Sequence, residues 1–166
     1  MALKAGKMKF ICALLAVEDI ERSKAFYTDV LGQEIKFDFG ENVTFHGDFA
    51  IHDKSHYSGL IGNKEIRQGE HAVELYFEYN DVEKMERDLA ARGVEFVHRT
   101  REQPWRQKVL RCYDPDGFII EIGESLAHLS HRLHEEGVAE ERIAEIVGIP
   151  VEMVQQGIAL FTKGGA

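Results

Sequence analysis

The sequence predicts an α+β protein: two tandem β-α-β-β-β modules followed by a helical C-terminal extension. Three observations predict it. A strand, an acid-led helix and a second strand occur near the start and recur in the second half at nearly the same spacing. Each copy is followed by two short strands joined through turn residues. Beyond the second copy the apolar residues change from alternation to the three-to-four-residue period of helices. The expected divisions are 9–58 and 71–124 for the modules, 59–70 for a linker or lid, and 125–163 for the extension.

Taken in order, the first strand is the apolar run Phe10–Val17. Lys4, Lys7 and Lys9 before it imitate the front of a signal peptide, but the run falls far short of the ~20 residues needed to span a bilayer. Glu18-Asp19-Ile20-Glu21 opens a helix ending at Leu31-Gly32, because Asp19 can accept the free N–H groups of the first turn. Strands Glu34–Phe39, Val43–His46 and Phe49–His52 follow, the last two separated by Gly47-Asp48. Asp53–Glu70, with Gly59, Gly62 and Gly69, reads as a linker or mobile loop. In the second module the elements are strand Ala72–Tyr79, a helix from Asn80-Asp81-Val82-Glu83 to Arg92-Gly93, and strand Val94–His98. Strands Gln107–Tyr113 and Phe118–Ile122 flank the tight-turn signal Asp114-Pro115-Asp116-Gly117. Val82, Met85, Leu89 and Ala90 recur at helical spacing, as do Ile20, Ala25 or Phe26, and Val30 in the first copy.

The extension offers a helix carrying Leu126, Leu129 and Leu133, a break at Gly137, a helix Glu140–Val147, the turn Gly148-Ile149-Pro150 and a helix Val151–Phe161. Glu141–Val154 resembles a helix-turn-helix core, yet its last helix shows no Lys or Arg before Lys163. A structural cap or a dimer contact is the expectation. His128, His131 and His134 share one helix face and read as surface histidines. Across the chain 20 Lys and Arg face 29 Asp and Glu, a net charge of −9, which argues against nucleic acid and anionic membranes as partners. Two cysteines, Cys12 and Cys112, suit a reducing compartment, and a cytoplasmic protein is expected.

Three stretches carry a resemblance: Val17-Glu-Asp-Ile-Glu-Arg-Ser-Lys-Ala-Phe-Tyr-Thr-Asp-Val-Leu-Gly32, Val73-Glu-Leu-Tyr-Phe-Glu-Tyr-Asn-Asp-Val82 and Tyr113-Asp-Pro-Asp-Gly-Phe-Ile-Ile-Glu121. In this order the chain resembles the vicinal-oxygen-chelate superfamily, which includes glyoxalase I, bleomycin-resistance proteins and extradiol dioxygenases. The resemblance implies sheets curled into an open cup holding one divalent metal (Zn, Ni, Mn or Fe). It carries the ligand positions onto Cys12, His52, Glu74 and Glu121. Cys12 lies seven residues before Asp19 and Glu74 seven before Asp81, so the first-strand pair is internally consistent. The set departs from the usual glyoxalase pattern of His or Gln with His and two Glu, and it lacks the two-His-one-carboxylate set of an iron dioxygenase.

With a metal, the resemblance implies a lyase or isomerase that stabilises an enediolate or oxyanion on a small oxygenated metabolite, with Glu121 or Glu74 moving the proton. Without one, the cup becomes a binding or sequestration pocket for a small-molecule ligand, lined by Phe45, Tyr76, Trp105, Arg106 and Arg111. Arg101, Arg106, Lys108 and Arg111 form a local basic cluster able to select an anionic ligand. A sensor with the helices as output is a third reading. Open strand edges make a homodimer the expected assembly.

Overall fold

The computed structural model describes residues 11–67 and 73–162. The chain divides into two compact units, Met1–Gly69 and Glu70–Ala166. The first contains β1 (Ala13–Val17), α1 (Ile20–Ala25), β2 (Ile35–Asp38), β3 (Asn42–Phe45), β4 (Phe49–Asp53) and α2 (Lys54–Leu60). The second contains β5 (Glu74–Glu78), α3 (Val82–Ala91), β6 (Phe96–Glu102), β7 (Lys108–Tyr113) and β8 (Ile119–Gly123), then α4 (Leu126–Glu135), α5 (Glu140–Val147) and α6 (Val151–Thr162). The sheets have the same plan: β1-β4-β3-β2 and β5-β8-β7-β6, with the first and last strands of each module parallel and the other pairs antiparallel. The tandem β-α-β-β-β expectation is met in both units, and neither sheet closes on itself.

Equivalent chemistry makes the equivalent elements. The Asp19 carboxylate accepts from the Arg22 N–H at 3.0 Å and Asp81 from the Lys84 N–H at 2.9 Å, so each module helix starts on a capped first turn. Gly32 and Gly93 end those helices at φ of 64° and 72°, a conformation costly for residues with a Cβ. Strand alternation then divides each sheet into a helix-covered face and an open one. In the first unit the covered face buries Val17, Val43, Phe45 and Ile51, with the Tyr27 ring 5.5 Å from Phe45 and 5.2 Å from Phe49. In the second, Leu110, Cys112, Ile120 and Ile122 are buried, as are Val82 and Leu89 of α3.

Several boundaries differ from the sequence reading. Phe10 and Ala72 lie outside the described residues, and β1 begins at Ala13, so Cys12 precedes the strand instead of sitting on it. The first helix continues past Ala25 as one wider π-helical turn, Phe26–Val30. The expected loop after Asp53 begins as a helix, α2, because Asp53 caps it by accepting from the His56 N–H at 2.8 Å and Lys54 pairs with Glu18. Gly69 and Glu70, the end of that expected lid, lie outside the described residues.

The extension has its own core of Leu129, Leu133, Ile143 and Val154. Gly157 of α6 lies so close to α4 that a Cβ there would meet the Ala127 Cα at 2.8 Å. Helices α5 and α6 bend by 110° at the break that follows Gly148. Exposed α6 residues are Glu152, Met153, Gln155, Gln156, Ala159, Leu160 and Thr162, with no basic residue among those described; Lys163 lies beyond them. No single helix among the described residues is long and apolar enough to cross a membrane.

Candidate functional site

The open face of the second sheet concentrates the polar chemistry. Alternation along β5 puts Glu74, Tyr76 and Glu78 on the face away from Leu75 and Phe77. The register sets Tyr76 beside Glu121, and Glu121 beside Arg111. Arg111 therefore reaches both carboxylates: its Nε donates to Glu74 at 2.6 Å and its Nη2 pairs with Glu121. Its Nη1 meets His98 Nε2 at 3.2 Å, while His98 Nδ1 lies 2.9 Å from the Arg99 carbonyl. A carbonyl only accepts, so His98 carries its proton on Nδ1 and accepts from Arg111 through Nε2. Glu121 is 8% exposed, and the guanidinium is the counter-charge that makes its burial tolerable.

Beside this ion pair lies an aromatic pair held by an amide. Trp105 Nε1 donates to Gln107 Oε1 at 2.8 Å, and Gln107 Nε2 donates to the Tyr76 hydroxyl at 3.1 Å and the Glu124 carbonyl at 2.7 Å. Gln107 is buried, whereas Tyr76 and Trp105 are 46% and 40% exposed. Burial of its hydroxyl end pushes the Tyr76 pKa up, so Tyr76 stays a neutral donor. Gly123 makes the room: a Cβ there would lie 3.2 Å from the Tyr76 ring and 3.2 Å from the Gln107 amide. Sequence reading named Tyr76, Trp105 and Arg111 and missed Gln107 and His98. Gln107 had one usable signal, its place two residues before Val109 and four before Arg111 on one alternating face.

On the first unit's open face, His52 is 7% exposed. The Asn42 amide nitrogen lies 3.1 Å from His52 Nδ1, and His52 Nε2 lies 2.7 Å from His56 Nδ1. With Asn42 donating to Nδ1, the neutral ring carries its proton on Nε2 and donates to His56. Burial first, and then the neighbouring His56, hold the His52 pKa below the usual imidazole value, against the pull of Asp53 and Glu41. His52 is not the counterpart of Glu121. Leu14 and Tyr76 each lie five residues before their helix-capping aspartate; Leu14 pairs with Ala50 and Tyr76 with Glu121. Ala50 is thus the equivalent of Glu121, and His52 that of Gly123.

Two expected pocket residues point elsewhere. Phe45 is fully buried, stacked on Phe49 at 4.7 Å in the helix–sheet core, because alternation sends it to the covered face. Arg106, at φ 70°, turns to Glu102 at 3.1 Å and to Glu136 of the extension at 2.9 Å. Lys108 pairs with Glu83 at 2.6 Å and draws the Glu83 pKa down. The basic cluster of the sequence is thus dispersed, Arg106, Lys108 and Arg111 each on its own carboxylates.

The donor chemistry bears on a metal. Among the described residues no group of three or more His, Cys, Asp or Glu side chains is gathered as a metal ion requires. In the second unit a guanidinium already lies between Glu74 and Glu121; in the first, Cys12 precedes β1 and both His52 ring nitrogens are engaged. Within each unit, these residues do not fit the ion that the four-ligand pattern implies.

Comparison with known proteins agrees with the fold. A family model described as a glyoxalase-like domain matches residues 10–127. The Bacillus subtilis protein YraH is 29% identical over 133 residues, spanning 72% of this chain and 100% of its own length. A structure of a protein of unknown function from Agrobacterium tumefaciens is 41% identical, covers 75% of this chain and 99% of its own, and superposes with a TM-score of 0.66. A lactoylglutathione lyase from the same organism is 23% identical, covers 72% of this chain and 96% of its own, with a TM-score of 0.55, a likeness of fold alone.

Proposed function

The chain belongs to the glyoxalase-like domain family of the vicinal-oxygen-chelate superfamily, and from that premise we propose that it is a metal-independent small-molecule-binding member. Its ligand lies on the open face of the β5–β8 sheet. One observation carries this reading: Gln107, buried, fixes the half-exposed Tyr76 and Trp105 through two side-chain hydrogen bonds. Two aromatic rings held by a buried amide form a preorganised stacking surface, and a planar ligand there avoids the entropic cost of ordering them. The Tyr76 hydroxyl and the Glu74 and Glu78 carboxylates rim that surface and orient polar groups of the ligand.

The guanidinium shared between two carboxylates supports binding over proton transfer. A base must turn its carboxylate toward a carbon-bound proton, and Arg111 holds one oxygen of both Glu74 and Glu121 against the sheet. The reading includes a cytoplasmic setting, in keeping with the free thiols Cys12 and Cys112.

Trp105 is the single tryptophan, so its emission reports the site directly. A panel of planar heteroaromatic compounds is titrated against the protein with and without EDTA. Saturable quenching that ignores the chelator, and weakens about tenfold in Gln107→Ala for loss of roughly 1.4 kcal/mol of preorganisation, is the expected result. Turnover of a hemithioacetal that EDTA abolishes and added Zn, Ni, Mn or Fe restores would replace this reading with the metal-dependent lyase.

A further inference from the structure

The C-terminal helices build a second cavity, on the side of the β5–β8 sheet away from Tyr76 and Gln107. Alternation along β7 sends Lys108 toward α3, where its Nζ meets Glu83 at 2.6 Å. The cavity measures about 440 Å³ and lies among the start of α3, the first residue of β7, α4 and the end of α6. That volume falls in the range of small-molecule sites. Three of its lining residues, His128, Arg132 and Phe161, lie beyond the span 10–127 that matches the glyoxalase-like domain.

The charges of the cavity are already matched within its wall. Arg132 donates to Glu124 through Nε at 3.2 Å and Nη2 at 2.7 Å, and to Glu136 at 2.8 Å. Lys108 is matched by Glu83, and the Asp81 carboxylate caps α3 by accepting from the Lys84 N–H. An entering anion would have to displace Glu83 from Lys108, and an entering cation would have to compete with Lys108 for Glu83.

The hydrogen-bonding capacity left over is mixed. Burial raises the Glu124 pKa, but Arg132 and the Lys108 N–H more than offset this, so the carboxyl is anionic. A carboxylate only accepts, so its 2.8 Å contact with His128 Nδ1 places the proton of the neutral ring there and leaves Nε2 as an acceptor. No partner for that Nε2 occurs among the described residues. Asn80 is the reverse case: its Oδ1 accepts from the Ser125 N–H at 3.1 Å, which leaves its NH2 group to donate. Lys108 keeps two further N–H donors. Phe161 adds an apolar ring, 5.3 Å from the His128 ring and at 80° to it.

We propose that this cavity binds a neutral polyhydroxylated molecule of the monosaccharide or cyclitol kind. A hydroxyl both donates and accepts, so neighbouring hydroxyls donate to His128 Nε2 and accept from the Asn80 amide without leaving a charge unmatched. The C–H face of the ligand ring lies against Phe161. Glu124 is a positioning residue: pinned by Arg132 and the Lys108 N–H, it fixes the His128 tautomer before the ligand arrives.

The test is a 15N–1H correlation titration of the full-length protein with D-glucose, D-galactose, D-ribose and myo-inositol, beside the 6-phosphate and 2-amino derivatives of the two hexoses. The expected result is saturable shifts at Asn80, Lys108, His128 and Phe161, none at Tyr76 or Trp105, and a Kd of about 1 mM for the best neutral probe. The charged derivatives bind at least about tenfold more weakly. His128→Ala and Phe161→Leu each weaken binding about tenfold, and both leave Arg132 on Glu124. Phe161 lies at the end of the last helix, so its variant keeps the fold. His131→Ala leaves binding unchanged, since His131 touches the Phe161 ring at 5.8 Å but does not line the cavity. Tighter binding of a charged derivative, shifts confined to Tyr76 and Trp105, or binding that is unchanged in both His128→Ala and Phe161→Leu would overturn the proposal. No saturable shift with any of the four neutral probes overturns it equally.

Discussion

At the scale of single residues, burial decides which groups keep their ordinary chemistry. Cys112 is fully buried opposite Ile120 of β8, and burial pushes its thiol pKa from 9.0 up to about 12. A thiol whose pKa is raised on folding stabilises the native state fully below pH 9, and that contribution is lost as pH rises toward 12. The slope is about 1.4 kcal/mol per pH unit in that window. Urea midpoints measured from pH 8 to 11 are expected to fall less steeply in Cys112→Ala than in wild type. Parallel slopes in the two proteins would mean that other groups carry the alkaline loss. The same principle explains what a sequence can and cannot show about individual residues. An acid in the apolar run Phe118–Ile122 announced that Glu121 needs a partner. That the partner is a guanidinium from the neighbouring strand, shared with Glu74 from 37 positions away, depends on sheet register. Gln107 carries no charge, and although alternation places it on the face of Val109 and Arg111, nothing in that pattern shows that it bridges two aromatics.

At the scale of elements, legibility followed the number of independent local signals. Helices α3 to α6 were read almost to the residue because apolar spacing marks each of them, Asp81 and Ser125 cap α3 and α4, and Gly93, Gly137 and Gly148 end α3, α4 and α5. Helix α2 escaped because it is seven residues long, contains Gly59 and depends on a pairing of Lys54 with Glu18, far away in the chain. One element-level device had no signature: the clamp on α4. Glu124, fully buried, accepts from the Lys108 N–H at 2.9 Å, from Arg132 at 2.7 Å and from His128 Nδ1 at 2.8 Å. Burial pushes its pKa up, but Arg132 and the backbone N–H more than offset this and leave the carboxyl below its usual value. Removing the carboxylate leaves the mostly buried guanidinium with Glu136 as its close counter-charge and takes the acceptor from the Lys108 N–H, at a cost of about 3 kcal/mol. Glu124→Ala is therefore expected to lower the unfolding free energy from urea denaturation by that amount and to raise hydrogen exchange in α4 to α6 before β1 to β4. Replacing both partners, as Glu124→Leu/Arg132→Met, should recover most of the loss. A double variant as unstable as the single one would show that the clamp acts through something other than the stranded charge.

At the scale of the whole molecule, the repeat was the most legible feature, since two copies of one pattern check each other. The equivalence of sites was less legible: distance from a turn places His52 and Glu121 alike, whereas pairing against β1 and β5 sets them two positions apart. Assembly follows from what each sheet leaves uncovered. Strand β2 is an edge, every residue of it is exposed, and Phe37 and Phe39 stack at 5.9 Å with 52% and 67% of their surfaces in solvent. An apolar edge with unpaired N–H and C=O groups invites pairing unless something covers it. Lys36, 6.0 Å above the Phe37 ring, and Asp38, paired with Lys24 at 3.2 Å, are the charges on the strand that could discourage it. We propose that a second copy covers this edge, in a closed two-fold pairing. Sedimentation at micromolar concentration is then expected to give twice the 18.9 kDa chain mass, with a melting temperature that rises with protein concentration. Phe37→Glu places a like charge on both sides of a two-fold contact and removes two aromatic anchors, so it should yield monomer without unfolding, since Phe37 supports no core. A wild-type species of 18.9 kDa at all concentrations, with an invariant melting temperature, would place the cover for β2 within the chain itself.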